Sequence, residues 1–372
     1  MLTASGLACA AEGNSWSLAP AGLATPITAD SSHIFELVRV IGPNVLPADF
    51  TYLGPAAISA TGKVALRSHT DCRIAVVDMA SGAVERLFGR CGDGPHESRV
   101  ITALLWRADT LIVVDEGTSR FRWFDAADTS VRRLQPDAAA LGGSSGLQSV
   151  AVVDDTTALL FLRLQPASVS GPDQHGLLVE MDLRSGAIRR RYFEEPVARR
   201  EIDGESQRYY RGCAAGPNRV VIENNGPAEV IRIGPDGMAA WARGIATDFL
   251  GFVANPEGDG GSFHWGRLPR PVACGERAIV SVVLPSEGNS AMTSIGRIVA
   301  LDWDGGVLLN QSIPGKYYPL AFSGWYGRDS LFVVTASQAS VPHVAVFRLR
   351  ERRAGETGPF LMPDSVWARY GP

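Results

Sequence analysis

Leu111-Ile-Val-Val-Asp115 followed by Arg120-Phe-Arg-Trp-Phe-Asp125 is the stretch on which the fold turns. Two short apolar runs, each closed by Asp and parted by a few polar residues, read as two strands of a hairpin. The second run has counterparts along the chain: Arg73-Ile-Ala-Val-Val-Asp78, Leu178-Val-Glu-Met-Asp182, Val230-Ile-Arg-Ile-Gly234, Ile298-Val-Ala-Leu-Asp302 and Val344-Ala-Val-Phe347. Positions 78, 125, 182, 234 and 302 lie 47, 57, 52 and 68 residues apart. An apolar strand precedes each run: Val64–Leu66, Leu111–Val114, Ala158–Leu162, Val220–Ile222, Ile279–Leu284 and Leu331–Val334. A Gly- or Asp-rich turn and another strand follow, as in Ala83–Gly89, Val131–Leu134, Ala187–Phe193 and Val307–Ile313.

Four strands at a period of about 50 residues, repeated six times, describe a six-bladed β-propeller of four-stranded antiparallel blades. A β-helix needs a shorter period, and no long amphipathic helix interrupts the series. The sixth unit lacks a fourth strand, because Arg348–Arg353 continues into a charged tail. At the other end, His33-Ile-Phe-Glu-Leu-Val-Arg-Val-Ile41 is a strand without a blade. Residues 33–41 are therefore expected to complete blade six and close the ring, which removes two open sheet edges. The organisation expected is an extension at 1–32, one propeller at 33–353 and a tail at 354–372.

Composition agrees with a large β core. Of 372 residues 45% are hydrophobic and 20% charged, with 40 Gly and 23 Pro for tight turns, and this excludes intrinsic disorder. Net charge is −4, from 35 basic and 39 acidic residues, so there is no electrostatic footprint for nucleic acid. Only Lys63 and Lys316 among the basic residues are lysines, a bias read as genome composition before function. No run of 18 apolar residues occurs, so no helical membrane span is expected. The first residues, Met1 to Ala11, are small and apolar and read like the end of a secretory signal, with Cys9 in a poor lipid-attachment context. The expected location is secreted or periplasmic, with the cytoplasm as the alternative. Five cysteines form no metal or redox motif; free thiols are expected, with Cys72–Cys91 as first choice if a pair forms.

Gly89-Arg-Cys-Gly-Asp-Gly-Pro-His-Glu97, leading into Leu111–Asp115 and Arg120–Asp125, resembles an NHL-type repeat. Such repeats read G-x-x-G-x-G-x-G-E/Q, then an apolar strand ending in Asp, then an Arg opening the next strand. His96 stands where a glycine is common, and only residues 89–125 carry the motif; the remainder matches in spacing. The resemblance implies a six-bladed propeller used as a binding module, a gluconolactonase-like metal hydrolase, a strictosidine-synthase-like enzyme or an amidating lyase. Fold alone does not choose among these.

The segments entering the innermost strands can be compared directly. They are Phe50-Thr-Tyr52, His96-Glu-Ser-Arg99, Gly146-Leu-Gln148, Tyr209-Tyr-Arg211, His264-Trp-Gly-Arg267 and Lys316-Tyr-Tyr318. Aromatic and cationic residues recur there, suiting a mouth for a small organic, glycan or peptide ligand. Tyr209, Tyr210, Arg211, Trp265, Arg267, Tyr317 and Tyr318 are the expected ligand contacts; packed aromatics plugging the channel are the alternative. The loop Gly244–Pro271 reads either as a lid carrying Phe263, His264 and Trp265 or as an ordinary insertion between blades. If the mouth is catalytic, as a lactonase-like hydrolase or a lyase, His96, Glu97 and His264 are the candidate acid–base groups. A divalent cation such as Ca is a possible cofactor, with Glu97, Glu223 and Asn224 as ligands. Asp115 is expected to cap a turn. No Gly-x-Ser-x-Gly elbow, P-loop or dinucleotide fingerprint is present. A monomer is expected, and the clusters Arg189–Arg191 and Arg350–Arg353 are expected to be solvated.

Overall fold

A computed structural model describes residues 25–27, 31–42, 44–47, 50, 53–68, 71–94, 97–116, 120–125, 130–136, 146–163, 178–192, 210–224, 229–234, 239–245, 272–283, 296–314, 324–336 and 343–370. They form six antiparallel sheets built from consecutive strands. Blade 1 comprises Leu53–Ile58, Lys63–Ser68, Ile74–Asp78 and Val84–Phe88; blade 2 comprises Ile101–Arg107, Thr110–Asp115, Arg120–Phe124 and Ser130–Leu134. Blade 3 holds Gly146–Val152, Thr157–Arg163, Leu178–Asp182 and Ile188–Tyr192; blade 4 holds Tyr210–Ala214, Val220–Asn224, Glu229–Ile233 and Ala239–Gly244. Blade 5 holds Ala273–Cys274, Ile279–Val283, Gly296–Leu301 and Val307–Ile313. Blade 6 takes Gly324–Arg328, Leu331–Ala336 and His343–Glu351 from the end of the chain, and His33–Ile41 from its beginning. The first strands of successive blades lie side by side around the ring, and that of blade 6 lies against that of blade 1.

The N-terminal strand closes the ring as expected. It pairs antiparallel with His343–Glu351, from His33 opposite Glu351 to Ile41 opposite Val344.

Each blade is buried on both faces, which is why its inner strands read as nearly unbroken apolar runs. Alternate side chains serve opposite neighbours. Leu111 and Val113 join the core between blades 1 and 2, while Ile112 and Val114 join the core between blades 2 and 3. Similar cores fill the other four junctions. At the closing seam Phe35 lies within 6.3 Å, centroid to centroid, of Trp325, Phe332, Phe347 and Phe360.

The recurring Asp has a local cause. Asp78 Oδ1 accepts the N–H of Ser81, Asp182 Oδ1 those of Arg184 and Ser185, and Asp302 Oδ1 those of Asp304 and Gly306. Each carboxylate thus organises the turn joining third and fourth strands. A register shift follows at the equivalent place in all six blades. The outer-strand residues just past these bulges are Arg86, Arg132, Arg190, Trp241, Leu309 and Arg39. Four of them clasp the next blade by a carbonyl of its own turn. Arg86 donates to Asp125 O at 2.5 Å, Arg132 to Leu183 O at 2.7 Å, Trp241 to Trp303 O at 3.0 Å and Arg39 to Ala80 O at 2.6 Å. Blade 5 has Leu309 there, buried in the core toward blade 6, whose third and fourth strands come from opposite chain ends and share no turn.

The segments flanking the propeller run along its rim. Thr25–Pro26 pairs in parallel with Arg243–Gly244 of blade 4. Ser32 N–H then donates to Leu308 O, and Asn310 exchanges hydrogen bonds with Ser31, along blade 5. Phe360–Leu361 adds a parallel edge to Phe35–Glu36 of blade 6, and a short helix, Asp364–Tyr370, brings Tyr370 against His343. The basic cluster near residue 350 is not a solvated tail. Arg350 pairs with Glu36 at 2.9 Å and Glu356 at 2.7 Å, and Arg352 donates to His33 O and Gly358 O.

Among the described residues the cysteines are not free thiols. Cys72 is bonded to Cys91 and Cys213 to Cys274. The second pair is 61 residues apart in sequence, but the ring sets the first strands of blades 4 and 5 side by side, with the two Cα atoms 5.6 Å apart. Sequence spacing carries no trace of that proximity.

Candidate functional site

The two faces of the ring are built differently. First and second strands are joined by tight turns at Ser59–Gly62, Ala108–Asp109, Val153–Thr156, Ala215–Arg219, Gly275–Ala278 and Asp329–Ser330. Ala108 and Asp329 adopt positive φ there, 47° and 52°, as such short reversals require. Third and fourth strands of blades 1 to 5 are joined at the same end. All connections between blades, and all those between second and third strands, therefore leave from the opposite end. These include residues 135–145, 164–177, 193–209, 245–272, 284–295 and 314–323. Short turns close one face, and the long connections start and finish on the other. Of the segments singled out as a mouth, the described parts Glu97–Arg99 and Tyr210–Arg211 stand at this end of blades 2 and 4.

Its best described part is the loop from Gly89 to Val100. Arg90–Cys91 pairs in parallel with Glu97–Ser98, and the Cys72–Cys91 disulfide ties the loop to the second-to-third-strand connection of blade 1. Glu97 braces the loop from inside. Its Oε2 accepts the Gly94 N–H at 2.9 Å and its Oε1 pairs with Arg90 Nε at 2.6 Å. Gly92 must be glycine here, because a Cβ would fall 2.0 Å from Glu97 Oε2 and its φ is +146°. The Gly94 N–H, with Arg90 alongside, holds the Glu97 carboxyl below the usual carboxylate range. Glu97 is therefore an anion at neutral pH with both oxygens engaged.

Beneath the loop lies a buried charged group. Asp115 accepts the N–H groups of Arg99 at 3.1 Å and Val100 at 2.9 Å, in the segment that leads into the first strand of blade 2. Arg122 stands 3.9 Å from Asp115 and donates to Ser98 Oγ, while Arg67 donates to Ile101 O. All three side chains are buried. Burial lowers the pKa of both guanidinium groups, and Asp115 works against it. Nothing in the sequence singled out Arg67 or Arg122; an Arg within an apolar strand was the available signal.

Four predicted residues come together on blade 4. Tyr210 pairs with Asn224 and Arg211 with Glu223, at the loop-face end of its first two strands. Glu97 enters blade 2, so blade 3 stands between it and the Glu223–Asn224 pair around the ring. Among the described residues no three His, Cys, Asp or Glu side chains are grouped to hold a metal ion. Phe50, read as part of the mouth, is instead buried in the core between blades 6 and 1. His96, Tyr209, His264, Trp265, Arg267, Tyr317 and Tyr318 lie outside the described residues.

No family model matches the chain, and no curated protein matches it. Solved structures do. A member of the DUF4221 family from Bacteroides vulgatus ATCC 8482 superposes with a TM-score of 0.56 at 11% identity, covering 87% of this chain and 98% of that one. A protein of Bacteroides fragilis NCTC 9343 described as exported superposes at 0.54 with 13% identity, covering 89% and 98%. At these identities the likeness is one of fold: a six-bladed propeller of four-stranded antiparallel blades. No helix among the described residues is long and apolar enough to cross a membrane.

Proposed function

We propose that this is an exported, NHL-like propeller that works as a binding protein, holding a small organic, glycan or peptide ligand at its loop face. One observation carries the reading: the long connections all start and finish at a single face of the ring, while tight turns close the other. Concave, loop-built ends of rigid scaffolds are where proteins take ligands. Tyr210 and Arg211 stand in register at the mouth end of blade 4, and a phenol ring and a guanidinium are chemistry suited to a carboxylate or sugar hydroxyl. The two disulfides support export, because such bonds persist in oxidising compartments.

A catalytic use of the same mouth, as a lactonase-like hydrolase or lyase, is the second reading. It rests on the pairing that places Glu223 and Asn224 beside Arg211 and Tyr210, from which oxygen ligands for a hard cation could come. The bracing of Glu97 favours binding, since the Gly94 N–H and Arg90 already engage both of its oxygens. The test is a thermal-shift screen of glycans, dipeptides and organic acids, with and without Ca2+, followed by titration of any hit into Tyr210→Ala and Tyr318→Ala. Affinity lost in these variants is the expected result. Affinity that survives both substitutions removes the mouth as the site; a hit converted to product only with Ca2+ selects the enzyme.

A further inference from the structure

The two disulfides occupy opposite surroundings. Cys213–Cys274 bridges two inner strands close to the turn face, with Cys274 buried. Cys91 is exposed, whereas Cys72 is buried and held at φ 57°, a left-handed conformation that an L-residue keeps only where its surroundings impose it. Gly89 and Gly92, at φ +85° and +146°, flank the exposed half of the bond. Within the loop, the ties from Gly92 to Ser98, Gly94 to Glu97 and Arg90 to Glu97 would travel with it as one piece. What it roofs is charged: Arg122 donates to Ser98, and the Arg99 and Val100 N–H groups are given to Asp115.

We propose that Cys72–Cys91 is a reducible latch that holds residues 89–94, with Glu97–Ser98, over Arg122, and that reduction by a dithiol frees these residues and exposes this guanidinium to solvent. A thiolate of the reductant attacks Sγ of Cys91, the exposed partner, and forms a mixed disulfide. Sγ of Cys72 leaves as a thiolate and takes a proton. The second thiol of the reductant then attacks the mixed disulfide, freeing the Cys91 thiol, and the reductant departs as its own cyclic disulfide. Two electrons and two protons pass to the protein. The latch is independent of which ligand the mouth takes.

Two measurements on the full chain test it. In a dithiothreitol titration read by mass-resolved alkylation, half-reduction of Cys72–Cys91 is expected at a concentration about ten-fold or more below that for Cys213–Cys274. Phenylglyoxal, which modifies accessible arginines, is expected to label Arg122 in the selectively reduced protein and in Cys91→Ser, and to leave it unlabelled in the oxidised form. Equal reduction of the two bonds overturns the proposal. So does an Arg122 that stays unlabelled in wild-type protein whose Cys72–Cys91 bond is shown to be open.

Discussion

The turn face and the loop face are made from the same six blades, yet they are held by different means. On the turn face the ties are short and repeated: an Asp organises the hairpin, a bulge follows, and an Arg or Trp past the bulge grips the neighbouring blade. On the loop face each connection has its own length, and the described ties are particular to one place, such as the Cys72–Cys91 loop and the Asp115–Arg122 pair beneath it. A repeated tie stabilises the ring and leaves little scope for individuality. The other face is thereby released from stability duties and can vary in shape and chemistry.

That division can be broken or sharpened by substitution. The largest effect is expected from Cys213→Ser with Cys274→Ser, which unlinks two inner strands across a 61-residue separation. It should lower unfolding free energy by about 2–4 kcal/mol in urea melts and leave binding at the mouth unchanged. Next is Arg132→Ala, which orphans the Leu183 and Arg184 carbonyls and uncovers Trp123; about 1–3 kcal/mol is expected. The exposed neighbour Arg133→Ala should stay within about 0.5 kcal/mol, and equal losses at 132 and 133 would dissolve the idea of a clasp.

A smaller, pH-dependent effect belongs to Asp182. The N–H groups of Ser185 and Arg184, with Arg189 beside them, hold its carboxyl down to about 2 from an ordinary 3.8. A carboxylate favoured in the folded state stabilises it above the unfolded value and loses that contribution as pH falls through the folded one. Between pH 3.8 and 2, then, Asp182→Asn should flatten part of the acid limb of a stability-versus-pH curve. The smallest change in stability is expected at the mouth. Tyr210→Ala and Arg211→Ala should shift unfolding by no more than about 0.5 kcal/mol while ligand affinity falls. A large stability loss there would mean that the loop face also holds the ring together.

Much of this architecture was legible because a blade is a period-two object repeated six times. Alternating burial toward two neighbours writes itself as apolar runs such as Leu111–Val114, and the Asp closing the third strands of blades 1, 3 and 5 marks a turn whose chemistry demands it. The unpaired His33–Ile41 was legible as the missing strand by subtraction. The clasping arginines were not, since a lone Arg on an outer strand looks like a solvated one until the next blade's turn is in place. The Cys213–Cys274 bond was hidden for a similar reason: proximity around the ring leaves no mark in linear spacing. At the mouth, residue types were readable but their partners were not. Glu97 looked like a free carboxylate because its acceptance of the Gly94 N–H depends on a turn that only coordinates reveal.

The seam at blade 6 also sets a timetable for the chain. Glu36 meets Arg350 across 314 residues, so the earliest of the blade strands to be synthesised is completed by one of the last. Through most of translation His33–Ile41 has no partner, and its Ile34 and Phe35 have no core to enter. Such a long wait favours slow, late closure and leaves a sticky edge that a chaperone would need to cover. Blades 1 to 5 can assemble in the order they emerge, but the last act must reach back to the beginning. A chain interrupted before residue 343 would leave an unsealed arc with both ends open to aggregation, where a simple solenoid would only have been shortened.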